Sequence, residues 1–141
     1  MSLLVDTGVF YAHHDEDSGR HDDANAALTK ILEGRLGQPY VTDYIYDETV
    51  TLTRYRMDSV EEAKTVSDRI LETGLFSMAW VREDVFKDAL VVFEEYSDQS
   101  LSFTDATTVA VAESRGIDYV LSFDDDFDGV VERVDPSSVR E

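Results

Sequence analysis

The sequence predicts an α/β fold in which a mainly parallel sheet is covered by helices on both faces. Short apolar runs that suit buried strands alternate along the chain with longer segments of helical periodicity. Because strand–helix–strand units are right-handed crossovers between parallel strands, this alternation favours a parallel sheet. Only two prolines and seven glycines interrupt the 141 residues, so we expect long elements and few loops.

The chain is predicted to begin with a strand, a short helix and a polar loop. The strand is an apolar run at residues 3–5 that ends at Asp6. Residues 9–12 have the spacing of a short helix, and residues 13–23 are predicted to form the loop. The histidines lie in or near this loop and offer no ligand spacing on a common helix face, so we interpret them as loop residues. They are His13, His14 and His21.

The middle of the chain predicts three helices and the second strand. An apolar stripe identifies the first of these helices over residues 24–36. A strand is predicted at residues 39–42, and helical spacing returns over residues 43–55. A Ser-x-x-Glu capping box then begins a helix over residues 59–74.

The last part of the chain predicts two further helices and three strands. Apolar stripes identify helices over residues 83–96 and 104–115, and Gly116 can end the second of them. The strands are predicted at residues 76–81, 119–122 and 131–134. Since we find neither an internal repeat nor a linker, we expect a single domain over residues 1–141.

The composition excludes several kinds of protein. The absence of cysteine rules out a disulfide scaffold, a thiolate zinc site and a cysteine nucleophile. Apolar residues make up 43% of the chain, which argues against disorder despite the high charge. The apolar run that ends at Asp6 is too short for a signal peptide, and no stretch is long enough to cross a bilayer. We therefore expect a cytoplasmic protein.

The chain is strongly acidic, with 31 acidic and 12 basic side chains and a formal net charge of −19. A surface rich in Asp and Glu and poor in Lys is typical of a salt-loaded cytoplasm, where screening weakens self-repulsion. We favour this halophilic origin. The alternative is an acidic protein that avoids nucleic acid or pairs with a basic partner.

Two aspartates lie at the ends of predicted strands. Asp6 closes the first strand, and Asp124 follows the strand at residues 119–122 by two residues. Parallel sheets bind ligands beyond the carboxyl ends of their strands, near a switch in strand order. Both acids are therefore candidate site residues, although Asp6 alone could equally be a helix cap before Thr7.

Two further acids lie on predicted helices. Glu48 shares a helix face with Ile45 and Leu52, which places a carboxylate on or beside an apolar stripe. Carboxylates are rarely fully buried unless paired, so a polar cleft or a metal would explain this position. The alternative is a head group that reaches water. Asp105 lies in the first turn of its helix, where the helix dipole alone favours an acid.

The acids as a set are more informative than each one singly. Residues at a strand end, on a mid-chain helix, at a helix start and after a late strand can converge at one edge of a parallel sheet. Carboxylate oxygens without His or Cys suit Mg²⁺ or Mn²⁺ rather than zinc. Four acids crowd the late loop and repel one another unless salt or a cation compensates, with an ordinary solvated loop as the alternative. They are Asp124, Asp125, Asp126 and Asp128.

Four short motifs occur in order along nearly the whole chain. They are LLVDT at residues 3–7, VTDYIYDE at residues 41–48, LSFTDA at residues 101–106 and LSFDDDF at residues 121–127. In this order, and with these flanks, they resemble the PIN-domain family and, within it, the VapC-type toxin ribonucleases. The resemblance places the family's catalytic and metal-binding acids at Asp6, Glu48, Asp105 and Asp124, with Asp126 as an accessory metal ligand.

The resemblance implies a three-layer α/β/α sandwich with a mainly parallel central sheet and an acidic pocket. It also implies Mg²⁺- or Mn²⁺-dependent endonucleolytic cleavage of RNA, commonly by a homodimer that an antitoxin protein holds inactive. Ser122 fits the family's small hydroxyl residue before the fourth acid. The chain lacks a basic stripe for nucleic acid. Arg54 and Arg56 follow Glu48 and could approach phosphates, although surface ion pairs are the favoured alternative.

Other classes of protein fit the sequence less well. A haloacid-dehalogenase-like phosphatase needs a second aspartate two residues after the first, where this chain has Gly8. A receiver domain needs a lysine after a late strand, and none follows Lys87. A non-catalytic protein-interaction module on the PIN fold is a further alternative, which the full acid set argues against. Nuclease activity that is lost on chelation would distinguish this module from an enzyme.

Overall fold

A five-stranded parallel sheet forms the centre of the protein, which a computed structural model describes over residues 1–140. The strands are β1 (Ser2–Val5), β2 (Gln38–Thr42), β3 (Ser77–Ala79), β4 (Tyr119–Leu121) and β5 (Arg133–Val134). Their order in the sheet is β3–β2–β1–β4–β5, and all four neighbouring pairs are parallel. The predicted parallel sheet is confirmed.

Helices cover both faces of this sheet. Within residues 1–140 they are α1 (Thr7–His14), α2 (His21–Leu32), α3 (Asp43–Arg56), α4 (Val60–Leu71), α5 (Glu83–Glu95) and α6 (Phe103–Arg115). The side chains of β1 alternate between two cores: Leu3 and Val5 pack with α1, α2, α3 and α4, and Leu4 packs with α5 and α6. This arrangement confirms the three-layer α/β/α architecture. None of the helices in the described residues has both the length and the apolar character needed to span a bilayer.

The edge strand β3 is shorter than the predicted strand at residues 76–81. It pairs only with β2, and the register places Thr42, the last residue of β2, opposite Ala79. Beyond that pair β3 has no neighbour to continue the ladder. Trp80 follows it and is half exposed, at 52%. The extent of an edge strand thus depends on the length of its partner, which an apolar run does not reveal.

The interpretation of the histidines as loop residues is wrong. His13 and His14 form the last turn of α1, and His21 begins α2. Side-chain contacts of His14 and His21 accompany this placement. His14 is hydrogen-bonded to Glu62 at 2.8 Å and to Arg69 at 2.7 Å, both on α4. The His21 Nδ1 atom lies 2.9 Å from the Ala12 carbonyl, where it satisfies a group at the end of α1.

The helix ends follow local backbone chemistry. α2 ends at Leu32, before the predicted residue 36, because Gly34 adopts a left-handed φ of 74°. Ser59 caps α4 by accepting from the Glu62 N–H, as predicted, although the Glu62 carboxylate turns to His14 instead of closing the box. Gly116 ends α6 in the left-handed region, which confirms its predicted role.

Candidate active site

The candidate site lies beyond the carboxyl ends of β1 and β4. The chain adds β2 and β3 on one side of β1 and then returns to add β4 and β5 on the other. The switch in strand order therefore lies between β1 and β4, where parallel sheets bind ligands. The Asp6 N–H donates to the Leu121 carbonyl at 3.1 Å, which extends the strand pairing as far as the first acid.

A cleft of about 800 Å³ opens at this edge of the sheet. Carboxylates from four separate elements line it: Asp6 after β1, Glu48 on α3, Asp105 in the first turn of α6 and Asp124 after β4. The structure thus brings together the four acids that the sequence singled out. Asp126 lies on the adjoining 3₁₀ turn, and its side chain does not line the cleft.

Asp6 is a buried carboxylate, with 7% of its surface exposed. Ser122 Oγ donates a 2.6 Å hydrogen bond to its Oδ2 atom. The pKa of Asp6 is raised from 3.8 to about 7, first by burial and then by the negative charges of Asp105 and Glu48, while the Ser122 hydrogen bond opposes the shift. Burial and neighbouring negative charge therefore favour the protonated form of Asp6 when no cation is present.

Asp105 is fixed at the start of α6 by a complete capping box. The Asp105 N–H donates to Ser102 Oγ, and the Ser102 N–H donates to Asp105 Oδ2, both at 3.0 Å. Only 8% of the residue is exposed. Burial, followed by the charges of Asp124 and Glu48, raises the pKa of Asp105 to about 6. The Asp105 side chain therefore both completes the capping box of α6 and lines the cleft.

Glu48 lies half buried on α3 and lines the cleft together with the two buried aspartates. After the larger effect of burial, its negative charge contributes to the raised pKa of both Asp6 and Asp105. The neighbouring Thr49 donates a 3.3 Å hydrogen bond to Thr7 and so ties α3 to α1. This contact holds Glu48 beside the end of β1.

Ser122 connects the first and last acids of the cleft. Besides donating to Asp6, its Oγ atom accepts a 3.0 Å hydrogen bond from the Asp124 N–H. Asp124 Oδ1 in turn accepts from the Asp126 N–H at 2.9 Å and caps the 3₁₀ turn. One buried hydroxyl therefore orders the loop that presents Asp124 and orients the carboxylate of Asp6.

The sequence matches the PIN domain over residues 3–132. This chain belongs to the PIN-domain family. The matched residues include all four acids of the cleft, the strands β2, β3 and β4, and β1 from Leu3 onward. A VapC ribonuclease of Archaeoglobus fulgidus is 31% identical over 132 residues, which cover 90% of this chain and 80% of that protein.

Solved structures share the fold of this PIN domain. Mycobacterium tuberculosis VapC20, described as a sarcin-ricin loop cleaving toxin, has a TM-score of 0.79 at 24% identity, covering 92% of this chain and 97% of that chain. A toxin–antitoxin complex from Klebsiella pneumoniae gives 0.67 at 18% identity, covering 95% and 97%. VapBC2 from Rickettsia felis, bound to a promoter DNA fragment, gives 0.71 at 9% identity, covering 95% and 98%.

The cleft of the PIN domain offers the donor atoms that a hard divalent cation prefers. Its acids and Ser122 present oxygen atoms alone. Burial, followed by the charges of neighbouring acids, raises the pKa of Asp6 and of Asp105, and a bound cation would offset this like-charge repulsion. A tighter group of acids adjoins this cleft. Within residues 1–140, three carboxylates each offer an oxygen atom that lies within 4.8 Å of the other two. They belong to Asp124, Asp125 and Asp126.

Two arginines line the same acidic cleft of the PIN domain. The sequence left the roles of Arg54 and Arg56 undecided. In the structure Arg54 forms a 3.7 Å surface ion pair with Asp58, whereas Arg56 lines the cleft. Arg20, from the connection between α1 and α2, lines it as well. Sequence analysis missed Arg20 because it lies in a polar segment without periodicity, and only tertiary contacts bring it to the acids.

Proposed function

We propose that this PIN domain is a metal-dependent endoribonuclease that cleaves RNA phosphodiester bonds and acts as the toxin of a toxin–antitoxin pair. The observation that carries this proposal is the convergence of Asp6, Glu48, Asp105 and Asp124 from four elements on one cleft. The relation to a VapC ribonuclease, at 31% identity over nearly the whole chain, supports RNA as the substrate. In this proposal, residues 1–141 act as a single nuclease domain.

The four cleft acids would hold Mg²⁺ or Mn²⁺, directly or through water, with Asp126 as an accessory ligand beside Asp124. A bound divalent ion can polarise a phosphoryl oxygen, lower the pKa of a water molecule and stabilise the leaving oxygen. The chain itself supplies the orientation. Ser122 fixes the Asp6 carboxylate, and the capping box fixes Asp105, so neither acid has to be ordered when the cation binds.

The acidic cleft also suggests how a protein inhibitor would act. A toxin–antitoxin complex and VapBC2 share this fold, which supports an antitoxin as the partner. An antitoxin segment that blocks four carboxylates would present Arg or Lys, because a cationic side chain can replace the charge of the metal. We further propose that the protein is cytoplasmic and works as a homodimer.

The charge of the chain supports a halophilic origin. A formal net charge of −19 on 141 residues produces strong self-repulsion in dilute buffer. Screening at molar salt, where the Debye length falls to about 3 Å, removes most of this cost. This proposal is independent of the nuclease activity, so either can fail without the other.

The experiment that tests the nuclease proposal is cleavage of total cellular RNA by the purified protein, followed by sequencing of the new ends. We expect discrete cleavage products in Mn²⁺ or Mg²⁺ and none in excess chelator. RNA that stays intact under every metal condition, with a correctly folded protein, would favour the alternative of a non-catalytic interaction module.

A further inference from the structure

Two arginines on the cleft each lie over an aromatic ring. The guanidinium of Arg56, the last residue of α3, lies 5.0 Å from the centre of the Tyr11 ring. The guanidinium of Arg20 lies 4.9 Å from the centre of the ring of Phe123, the residue that directly precedes Asp124. All four of these residues line the acidic cleft. The electrostatic attraction between a guanidinium and a ring face helps to hold each arginine in place, and a guanidinium has five N–H groups with which to bind a further partner.

Neither arginine is neutralised by a carboxylate. Within residues 1–140, Arg20 and Arg56 have no ion pair at 4.0 Å or closer, although the chain carries 31 acidic residues. Arg133, by contrast, is paired with Asp128 at 2.8 Å. Asp15 lines the cleft as well, and burial followed by Asp15 raises the pKa of Tyr11, while Arg56 opposes that shift.

The placement of these charges is informative because the rest of the cleft repels an anion. Arg56 reaches the cleft from the end of α3 and Arg20 from the connection between α1 and α2, so the two cations approach the acids from different elements. A planar guanidinium can donate two parallel hydrogen bonds to a phosphate group. The two cations therefore provide an attraction for the substrate that the acids by themselves lack.

We propose that Arg20 and Arg56 bind backbone phosphates of the RNA beside the acid cluster, and so hold the scissile phosphate against the acids. This inference rests on the proposed nuclease function. Both arginines act on the phosphodiester backbone, so their contribution to affinity is independent of base sequence. Sequence selection must come from other parts of the surface.

The test measures binding of a short, mixed-sequence single-stranded RNA as a function of KCl concentration. The background is Asp105→Asn, which prevents cleavage during the measurement. Arg20→Ala and Arg56→Ala should each weaken binding by about tenfold. Each should also reduce the slope of log K against log [salt] by about 0.7, the value for one phosphate contact on a single strand. Arg56→Lys should keep the slope and recover part of the affinity, since it keeps the charge without the planar guanidinium.

Arg54→Ala is the matched control, because it removes an arginine from the same helix two residues earlier and outside the cleft. The RNA affinity of Arg54→Ala, and its slope of log K against log [salt], should equal those of the Asp105→Asn background. Alanine variants of Arg20 and Arg56 that also bind like the background would overturn the proposal, while cleavage by the parent chain would leave the nuclease function intact. A parent chain that neither binds nor cleaves RNA would overturn both.

Discussion

Ser122 Oγ donates a 2.6 Å hydrogen bond to Asp6 Oδ2 and so joins the ends of the neighbouring strands β4 and β1. The same oxygen accepts from the Asp124 N–H. The first acid of the cleft and the loop that carries the last one are thus ordered by one buried side chain. Because the hydrogen bond favours the ionised form of Asp6, it also opposes the effect of burial on the pKa of that carboxyl group.

Ser122→Ala should raise the pKa of Asp6 above its value of about 7, because the change removes the hydrogen bond that favours the carboxylate. A protonated Asp6 cannot hold a cation, so the acid limb of the pH–rate profile should move to higher pH. The measurement is single-turnover RNA cleavage at subsaturating Mn²⁺ from pH 5.5 to 8.5. Ser114→Ala, which changes an exposed serine of α6, is the control and should retain the pH–rate profile of the parent. An acid limb that stays in place in Ser122→Ala would contradict this role.

The stability of the metal-free protein should fall as the pH rises from 5 to 8. The folded pKa values of Asp6 and Asp105, about 7 and about 6, lie above the unfolded value of 3.8. The native state therefore binds more protons than the unfolded state, and the stability present at low pH is lost as each group ionises. In Asp105→Asn, the fall in the free energy of unfolding between pH 5 and pH 8 should be smaller by about 1 kcal/mol.

Chemical denaturation at each pH, in chelator and at fixed ionic strength, measures this difference. His13, whose pKa burial lowers to about 4, acts in the opposite direction but equally in both proteins. It cancels when the variant is compared with the parent. Equal pH dependence of the free energy of unfolding in the parent and in Asp105→Asn would show that Asp105 has no raised pKa.

Asp105→Asn and Asp125→Asn should distinguish the cleft acids from the acidic loop. If the cation is held in the cleft, Asp105→Asn removes a charged ligand and should abolish turnover, whereas Asp125→Asn should keep most of it. Mn²⁺ should raise the melting temperature of the parent and of Asp125→Asn through binding to the native state, and much less that of Asp105→Asn. If Asp125→Asn instead abolishes turnover and the stabilisation by Mn²⁺ while Asp105→Asn keeps both, the cation binds the group formed by Asp124, Asp125 and Asp126.

Added KCl should raise the stability of this protein from dilute buffer into the molar range. The net charge of −19 makes unscreened repulsion large, and salt reduces it. Thermal melts across the KCl series measure the effect, with sucrose at matched osmolality as a control for non-ionic stabilisation. A melting temperature that is highest at low ionic strength would contradict the halophilic origin.

The local chemistry of the sequence was enough to predict the architecture and to select the acids. Apolar runs identified the strands, amphipathic stripes identified the helices, and their alternation required parallel pairing. The acids directly after β1 and β4 could be selected because polar residues that follow buried strands of a parallel sheet lie at its ligand-binding edge. Asp6 and Asp124 satisfy this rule. Glu48 was selected because a carboxylate interrupts an apolar helix face.

Contacts between distant residues decided what the sequence pattern could not show. His14 ends α1, and its ring binds Glu62 and Arg69 on another helix. β3 ends at Ala79 because its partner ends at Thr42.

The environment of the cleft depends on the same kind of contact. The raised pKa of Asp6 requires burial together with charges 42 and 99 positions away along the chain, at Glu48 and Asp105. The sequence by itself determined the periodicity, the composition and the order of the acids, since these are properties of neighbouring residues. The tertiary structure alone decided which charges share a low-dielectric cleft and which arginines reach it, because electrostatic interactions depend on distance in space and on burial.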